Sequence, residues 1–211
     1  MSFLRNVTIL LGAALLSATL AAGFSGPARA DDTADAKAQV NSLMAEAIAT
    51  FGGKTLPYDE LNAKLRGFIE RYGDVALSSQ DVLGRYWAKA SPEEQSDFKT
   101  LVVDYAIGSW SSQLGQMPVS QTIEFTTSET TPEGRILLHS LSHTDDITPV
   151  DWLLVRAGDG RMVVLDVAVG GVSIVKTMNA DFSTIIRANG YKVAPLLDTL
   201  RAKIASYKTA K

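Results

Sequence analysis

The chain has 211 residues, 46% of them apolar and 20% charged, with seven prolines and sixteen glycines spread thinly, the composition of a folded globular protein rather than a disordered or fibrous one. Its 20 Lys and Arg against 23 Asp and Glu give a net charge of −3, which argues against a dedicated nucleic-acid binder. The absence of cysteine excludes disulfides, Cys-ligated zinc, iron–sulfur clusters, a thiol nucleophile and a lipoprotein anchor, and two histidines leave little material for metal or triad chemistry.

The first thirty residues have the order of a secretory signal peptide. Arg5 is followed by an apolar run from Val7 to Ala22, and Ala28-Arg29-Ala30 supplies an A-x-A cleavage pattern before the polar Asp31-Asp32. The run is short for roughly 30 Å of hydrocarbon, which favours cleavage over a retained anchor. Cleavage after residue 30 removes Arg5 and Arg29, leaving an acidic exported domain over residues 31–211.

Helical spacing comes next. Val40, Leu43, Met44, Ala47, Ile48 and Phe51 recur on one face, and Gly52-Gly53 stops the run. A second helix follows Pro57 with Leu61, Leu65, Phe68, Ile69 and Tyr72 on its face and Gly73 at its end. A third is expected near Gln80 to Ala90, and a fourth opens at the capping box Ser91-Pro92-Glu93-Glu94. After Gly115 the period changes. Val119 to Thr127, Arg135 to His143, Asp151 to Arg156 and Arg161 to Val169 read as strands, separated by turns at residues 131–134, 145–149 and 158–160. Two helices close the chain, one from Ser173 to Asn189-Gly190 and one carrying Val193, Leu196, Leu197, Leu200 and Ile204. Helices, a block of strands, then helices define an α+β fold with a four-stranded antiparallel sheet, without the alternation of a parallel one.

No catalytic set emerges. His139 and His143, four apart in a strand, share a face but lie about 13 Å apart at roughly 3.3 Å per residue, too far for one ion. Ser173 sits in a sequence that lacks the second glycine of a nucleophile elbow and reads as a helix cap. Gly158-Asp159-Gly160 reads as a hairpin turn, and Asp145-Asp146 has too few neighbouring carboxylates for a calcium loop. Asp166, behind the apolar run Met162 to Leu165, reads as a partly buried, hydrogen-bonded structural aspartate. An exported enzyme using Asp166 with a histidine is the alternative from a different class.

Three segments resemble the MlaC, or toluene-tolerance, family of periplasmic phospholipid-binding proteins: Val82-Leu83-Gly84-Arg85-Tyr86-Trp87 with the following Ala88 to Gln95, Asp166 to Val175, and Phe182 to Gly190. They keep the family's order and spacing over nearly the whole mature chain. One position departs: Gly170 stands where family members usually carry an acidic residue, which removes a charge and loosens the junction. The resemblance implies a twisted sheet wrapped by helices, with acyl chains in an apolar cavity and the head group near its mouth. It also implies a non-enzymatic shuttle without cofactor, which works most simply as a monomer, and the few, distant histidines leave no metal expected. Such a shuttle carries glycerophospholipid across the periplasm between an outer-membrane lipoprotein–porin complex and an inner-membrane ABC transporter with its MCE-type component, and so maintains outer-membrane lipid asymmetry. A related branch makes a hopanoid the alternative cargo.

Each buried CH₂ is worth about 0.8 kcal/mol, so two chains leaving a bilayer forfeit on the order of 20 kcal/mol that the cavity must replace. A dry cavity of about 1,000 Å³ or more is implied. Its expected lining is Val82, Leu83, Tyr86, Tyr105, Ile123, Phe125, Leu138, Trp152, Leu154, Val163, Leu165, Val167, Val172, Ile174, Val175, Met178 and Phe182, with Val172 and Ile174 pointing inward beside Trp152 and Leu165. Head-group contact is expected to be sparse, because the strands carry no Arg/Lys cluster.

Overall fold

A computed structural model describes residues 30–114 and 118–209. The expected signal peptide therefore lies, but for Ala30, outside the described residues, as does Gly115. Among the described residues no helix is long and apolar enough to cross a membrane.

The periodic apolar residues form the expected first helix, α1 (Ala30–Phe51), with Ala36, Val40, Leu43, Met44, Ala47 and Phe51 all buried. α2 (Tyr58–Tyr72) carries Asp59 and Glu60 in its first turn and Arg71 in its last, each at the dipole end that favours its charge. It stops at Gly73, where a Cβ would sit 2.9 Å from the Ile69 carbonyl oxygen. The bare backbone there bridges in parallel to Val164 of the sheet.

The third helix begins earlier and ends sooner than its periodicity suggested. α3 (Val75–Leu83) is capped by Asp74, whose Oδ1 accepts from the Leu77 N–H at 2.9 Å. At Gly84, φ is +55°, and the chain tightens into a 3₁₀ segment, Gly84–Lys89. Glycine serves twice here: a Cβ would lie 2.8 Å from Asn179 Nδ2, which donates to the Val82 carbonyl at 2.8 Å. α4 (Pro92–Leu114) opens with a two-way capping box, the Ser91 N–H donating to Glu94 Oε2 at 2.8 Å and the Glu94 N–H to Ser91 Oγ at 3.1 Å.

The strands form an antiparallel meander in chain order: β1 (Thr122–Thr130), β2 (Ile136–His143), β3 (Ile147–Arg156), β4 (Met162–Val169) and β5 (Val172–Ser173). β5 is an addition to the expected four. Gly170 and Gly171 have φ of +58° and +80°, the pair of left-handed residues that a two-residue hairpin requires, so β4 doubles back before α5 instead of running into it. β3 also starts earlier than expected. Pro149 reads as a turn residue but lies in the strand opposite Leu141, its carbonyl accepting from the Gly170 N–H at 2.9 Å. α5 (Ile174–Ala188) is capped by Ser173, and α6 (Ala194–Thr209) packs on α4 where Gly108 meets the Tyr207 ring.

Two apolar clusters result. One lies among the helices and includes Leu83, Tyr86, Phe98, Ile107, Phe182, Ile186 and Leu196. The other lies between α1 and the sheet and includes Val40, Ile136, Leu138, Trp152 and Leu154. Phe68 touches both, its ring edge-on to Phe51 at 5.9 Å and tilted on Tyr72 at 4.8 Å.

Candidate functional site

A cavity of about 220 Å³ lies at the seam between these clusters. Its walls are Phe68, Ile69 and Tyr72 of α2, Val75 and Val82 of α3, Val102, Val103, Ala106 and Trp110 of α4, Ile174, Val175 and Met178 of α5, and Leu43 of α1. The sheet contributes the consecutive residues Val164, Leu165, Asp166 and Val167. A regular strand would turn alternate side chains away. Here the pairing of β3 with β4 slips between Leu153 and Leu154, leaving Leu165 unopposed, and the bulge lets adjacent residues border one space.

The cavity is far below the 1,000 Å³ expected from two acyl chains. An apolar hollow of roughly 150 Å³ accepts one benzene, so this one holds a short length of chain at most. Side chains facing an apolar void lose dispersion contacts, which draws the two layers together. Housing whole acyl chains requires them to part.

Few polar groups reach the wall, and most are satisfied. Asp166 Oδ1 accepts from the backbone N–H of Val167 at 2.8 Å and of Val175 at 3.0 Å, and Oδ2 from the Ser173 hydroxyl. The aspartate thus ties β4 to the first turn of α5, the structural role expected of it. Ser78 Oγ donates to the Leu165 carbonyl at 3.4 Å. Tyr72 turns its hydroxyl away from the cavity, donating to Glu46 Oε2 at 2.7 Å. Burial, with the Glu46 hydrogen bond, pushes the phenol above its ordinary range, while Tyr72 and Arg71 hold the Glu46 carboxyl below its own. Ser79, only 1% exposed, is the exception: its Oγ has no hydrogen-bond partner among the described residues.

Of the expected lining, Val82, Leu165, Val167, Ile174, Val175 and Met178 border the cavity. Leu83, Tyr86 and Phe182 sit in the helical cluster with Tyr105 packed against it. Leu138, Trp152 and Leu154 sit in the sheet cluster with Ile123 and Phe125 at its edge, and Val163 is wholly buried without bordering the cavity. Val172 is placed differently from expectation. It faces Val169 across the glycine turn and is 63% exposed, because the unforeseen hairpin carries it out past the end of the sheet. The α2 and α4 walls were not foreseen. Their residues repeat at the spacing of any buried helix face, a pattern that does not separate seam from core.

A second recess of about 590 Å³ adjoins the first through Val175 and is polar, lined by Asp81, Arg85, Lys176, Asn179, Ser183 and Arg187 among others. Asp81 is held there by a two-pronged pair with Arg135 at 2.6 and 3.0 Å. The basic residues come from the 3₁₀ segment and α5, not from the strands. Both histidines are engaged separately, His139 Nδ1 with Asp151 at 2.8 Å and His143 Nε2 with Glu124 at 2.8 Å. Among the described residues no group of three His, Asp or Glu could hold a metal ion.

A phospholipid-binding protein from Ralstonia solanacearum, solved in complex with a phospholipid, superposes with a TM-score of 0.68 over 82% of this chain and 99% of that one, at 20% identity. At that identity the fold is what the two share. No curated protein matches the chain. The family model described as MlaC protein matches residues 37–202, from within α1 to within α6, so that every wall of the seam falls inside the match. The chain belongs to the MlaC family.

Proposed function

We propose that this protein is an exported carrier that binds a glycerophospholipid by its acyl chains in the seam cavity and releases it without chemical change. The observation carrying this reading is the cavity itself: apolar walls from five helices and a bulged strand, within a fold shared with a protein solved around a phospholipid. A head group emerging beside Val175 meets Arg85, Lys176 and Arg187, whereas the nearby Asp81 is already neutralised by Arg135. An anionic phosphate is favoured there. Membership of the MlaC family supports a route through the periplasm, after removal of residues 1–30, between an outer-membrane lipoprotein–porin complex and an inner-membrane ABC transporter with an MCE-type component.

Solvent extraction of the protein purified without detergent, followed by mass spectrometry, tests the reading. Glycerophospholipid in near-stoichiometric amount is the expected result. A hopanoid in its place changes the cargo, and a protein that neither carries lipid nor takes it up from vesicles overturns the carrier.

A further inference from the structure

Hydroxyls on helices often donate to the carbonyl one turn back. Ser109 does so to Tyr105 at 2.8 Å, Thr177 to Ser173 at 2.7 Å, Thr184 to Ala180 at 2.9 Å and Thr199 to Pro195 at 2.8 Å. Ser79, in the middle of α3 and more deeply buried than any of these, makes no such bond and borders the apolar cavity. An unmade bond at a buried hydroxyl costs about 1–3 kcal/mol, so this position is unfavourable unless something else accepts from it. Water is a poor candidate, since a buried water needs two to four polar partners. The polar wall groups Asp166 and Ser78 are already engaged with other partners.

We propose that the Ser79 hydroxyl donates to an ester carbonyl of the bound diacyl lipid, and so fixes how deep the lipid sits. This rests on the phospholipid-carrier reading. Methylenes offer no acceptor, and a phosphate this deep would lose its hydration. The ester carbonyls, neutral and at the head of the hydrocarbon, are the acceptors that fit. The spacing agrees. Gly84, on the rim of the polar recess, lies five residues from Ser79, roughly 7 Å along the helix axis. A lipid hydrogen-bonded at Ser79 can therefore place its phosphate, a few atoms beyond the ester, among Arg85, Lys176 and Arg187.

The test compares dioleoyl phosphatidylglycerol with its dialkyl ether counterpart, which lacks the carbonyls, as competitors for a fluorescent phospholipid on the delipidated mature protein and on Ser79→Ala. The wild type should bind the ester about five-fold more tightly than the ether, the worth of one neutral hydrogen bond. Ser79→Ala should bind both alike, at the level of the wild type with ether. It should also melt no lower than the wild type when delipidated, because an unsatisfied hydroxyl has been removed. An ester preference that survives in Ser79→Ala, or none in the wild type, overturns the anchor while leaving the carrier standing. A wild type that binds neither lipid overturns both.

Discussion

Around Trp152 the sheet packs on α1 with its polar atoms paired: the indole N–H donates to Ser140 Oγ at 3.0 Å, and that hydroxyl donates to the Val150 carbonyl at 2.7 Å. One strand further on, similar aliphatic side chains face helices α2 to α5 across a 220 Å³ gap with a hydroxyl left over. The difference lies in what crosses each boundary. α1 lays a regular face of Ala36, Val40 and Met44 along the sheet. The seam is spanned at points: the Gly73–Val164 bridge, the Ser78–Leu165 bond, the Asp166 ties to α5 and the Arg135–Asp81 pair. Continuous packing makes a core, and point attachment leaves an unfilled seam.

Truncation against filling tests this contrast most severely. Leu138, fully buried in the sheet cluster, should lose about 2–5 kcal/mol of stability as Leu138→Ala, with lipid content per folded molecule unchanged. Ala106→Phe places a ring in the cavity, whose volume accommodates one. It should leave the melting temperature near that of the wild type and cut lipid uptake at least ten-fold. Thermal melts and phosphorus content measured on both variants separate core from seam. The distinction collapses if Leu138→Ala empties the protein of lipid or Ala106→Phe stays fully loaded.

The outline of the fold was legible because its signals are local: three- and four-residue spacing through α1, α2, α5 and α6, the Ser91 capping box, and alternation in β2 and β3. Misplaced boundaries trace to signals that compete. Pro149 argued for a turn but occupies a strand, and Val75 to Ser79 has too little periodicity to announce a helix, although Asp74 was an available cap. β5, two residues long, has no pattern of its own. The site was only partly legible for a deeper reason. Whether a buried aliphatic faces a core or a seam depends on which elements meet, so Trp152 and Leu138 looked as suitable as Val82 and Met178. The α2 and α4 walls were indistinguishable from ordinary helix faces. The bulge at Leu165, which brings four adjacent residues to the cavity, arises from strand pairing and leaves no mark in the residues themselves.

A smaller effect is expected at the tie between sheet and cavity. Asp166→Ala strips the acceptor from the N–H groups of Val167 and Val175 and from the Ser173 hydroxyl. The loss should be about 1.5–3 kcal/mol, that of a charge-assisted hydrogen bond. Because Ile174, Val175 and Met178 follow directly on this anchor, lipid should also dissociate faster. Asp166→Asn keeps an amide oxygen for both N–H groups, loses the acceptor for the Ser173 hydroxyl, and should fall between. A variant destabilised yet releasing lipid at the wild-type rate would show that the start of α5 holds its position without the carboxylate.

The smallest effect belongs to Val172, and there the outcome separates two geometries of the same junction. If the chain ran straight from β4 into α5, Val172 would face the cavity, and a carboxylate there would be costly enough to draw in water or a proton. With the Gly170-Gly171 hairpin in place, Val172 lies at the turn, 63% exposed, so its substituent remains in water. Val172→Glu should therefore change stability by no more than about 0.5 kcal/mol, as surface substitutions do, and leave the lipid complement intact. Ile174, two residues on and bordering the cavity, is the contrasting position: Ile174→Glu should deplete lipid in the same phosphorus assay. Equal depletion by both variants would mean that the hairpin folds inward when lipid is bound, and the seam would then extend to the end of the sheet.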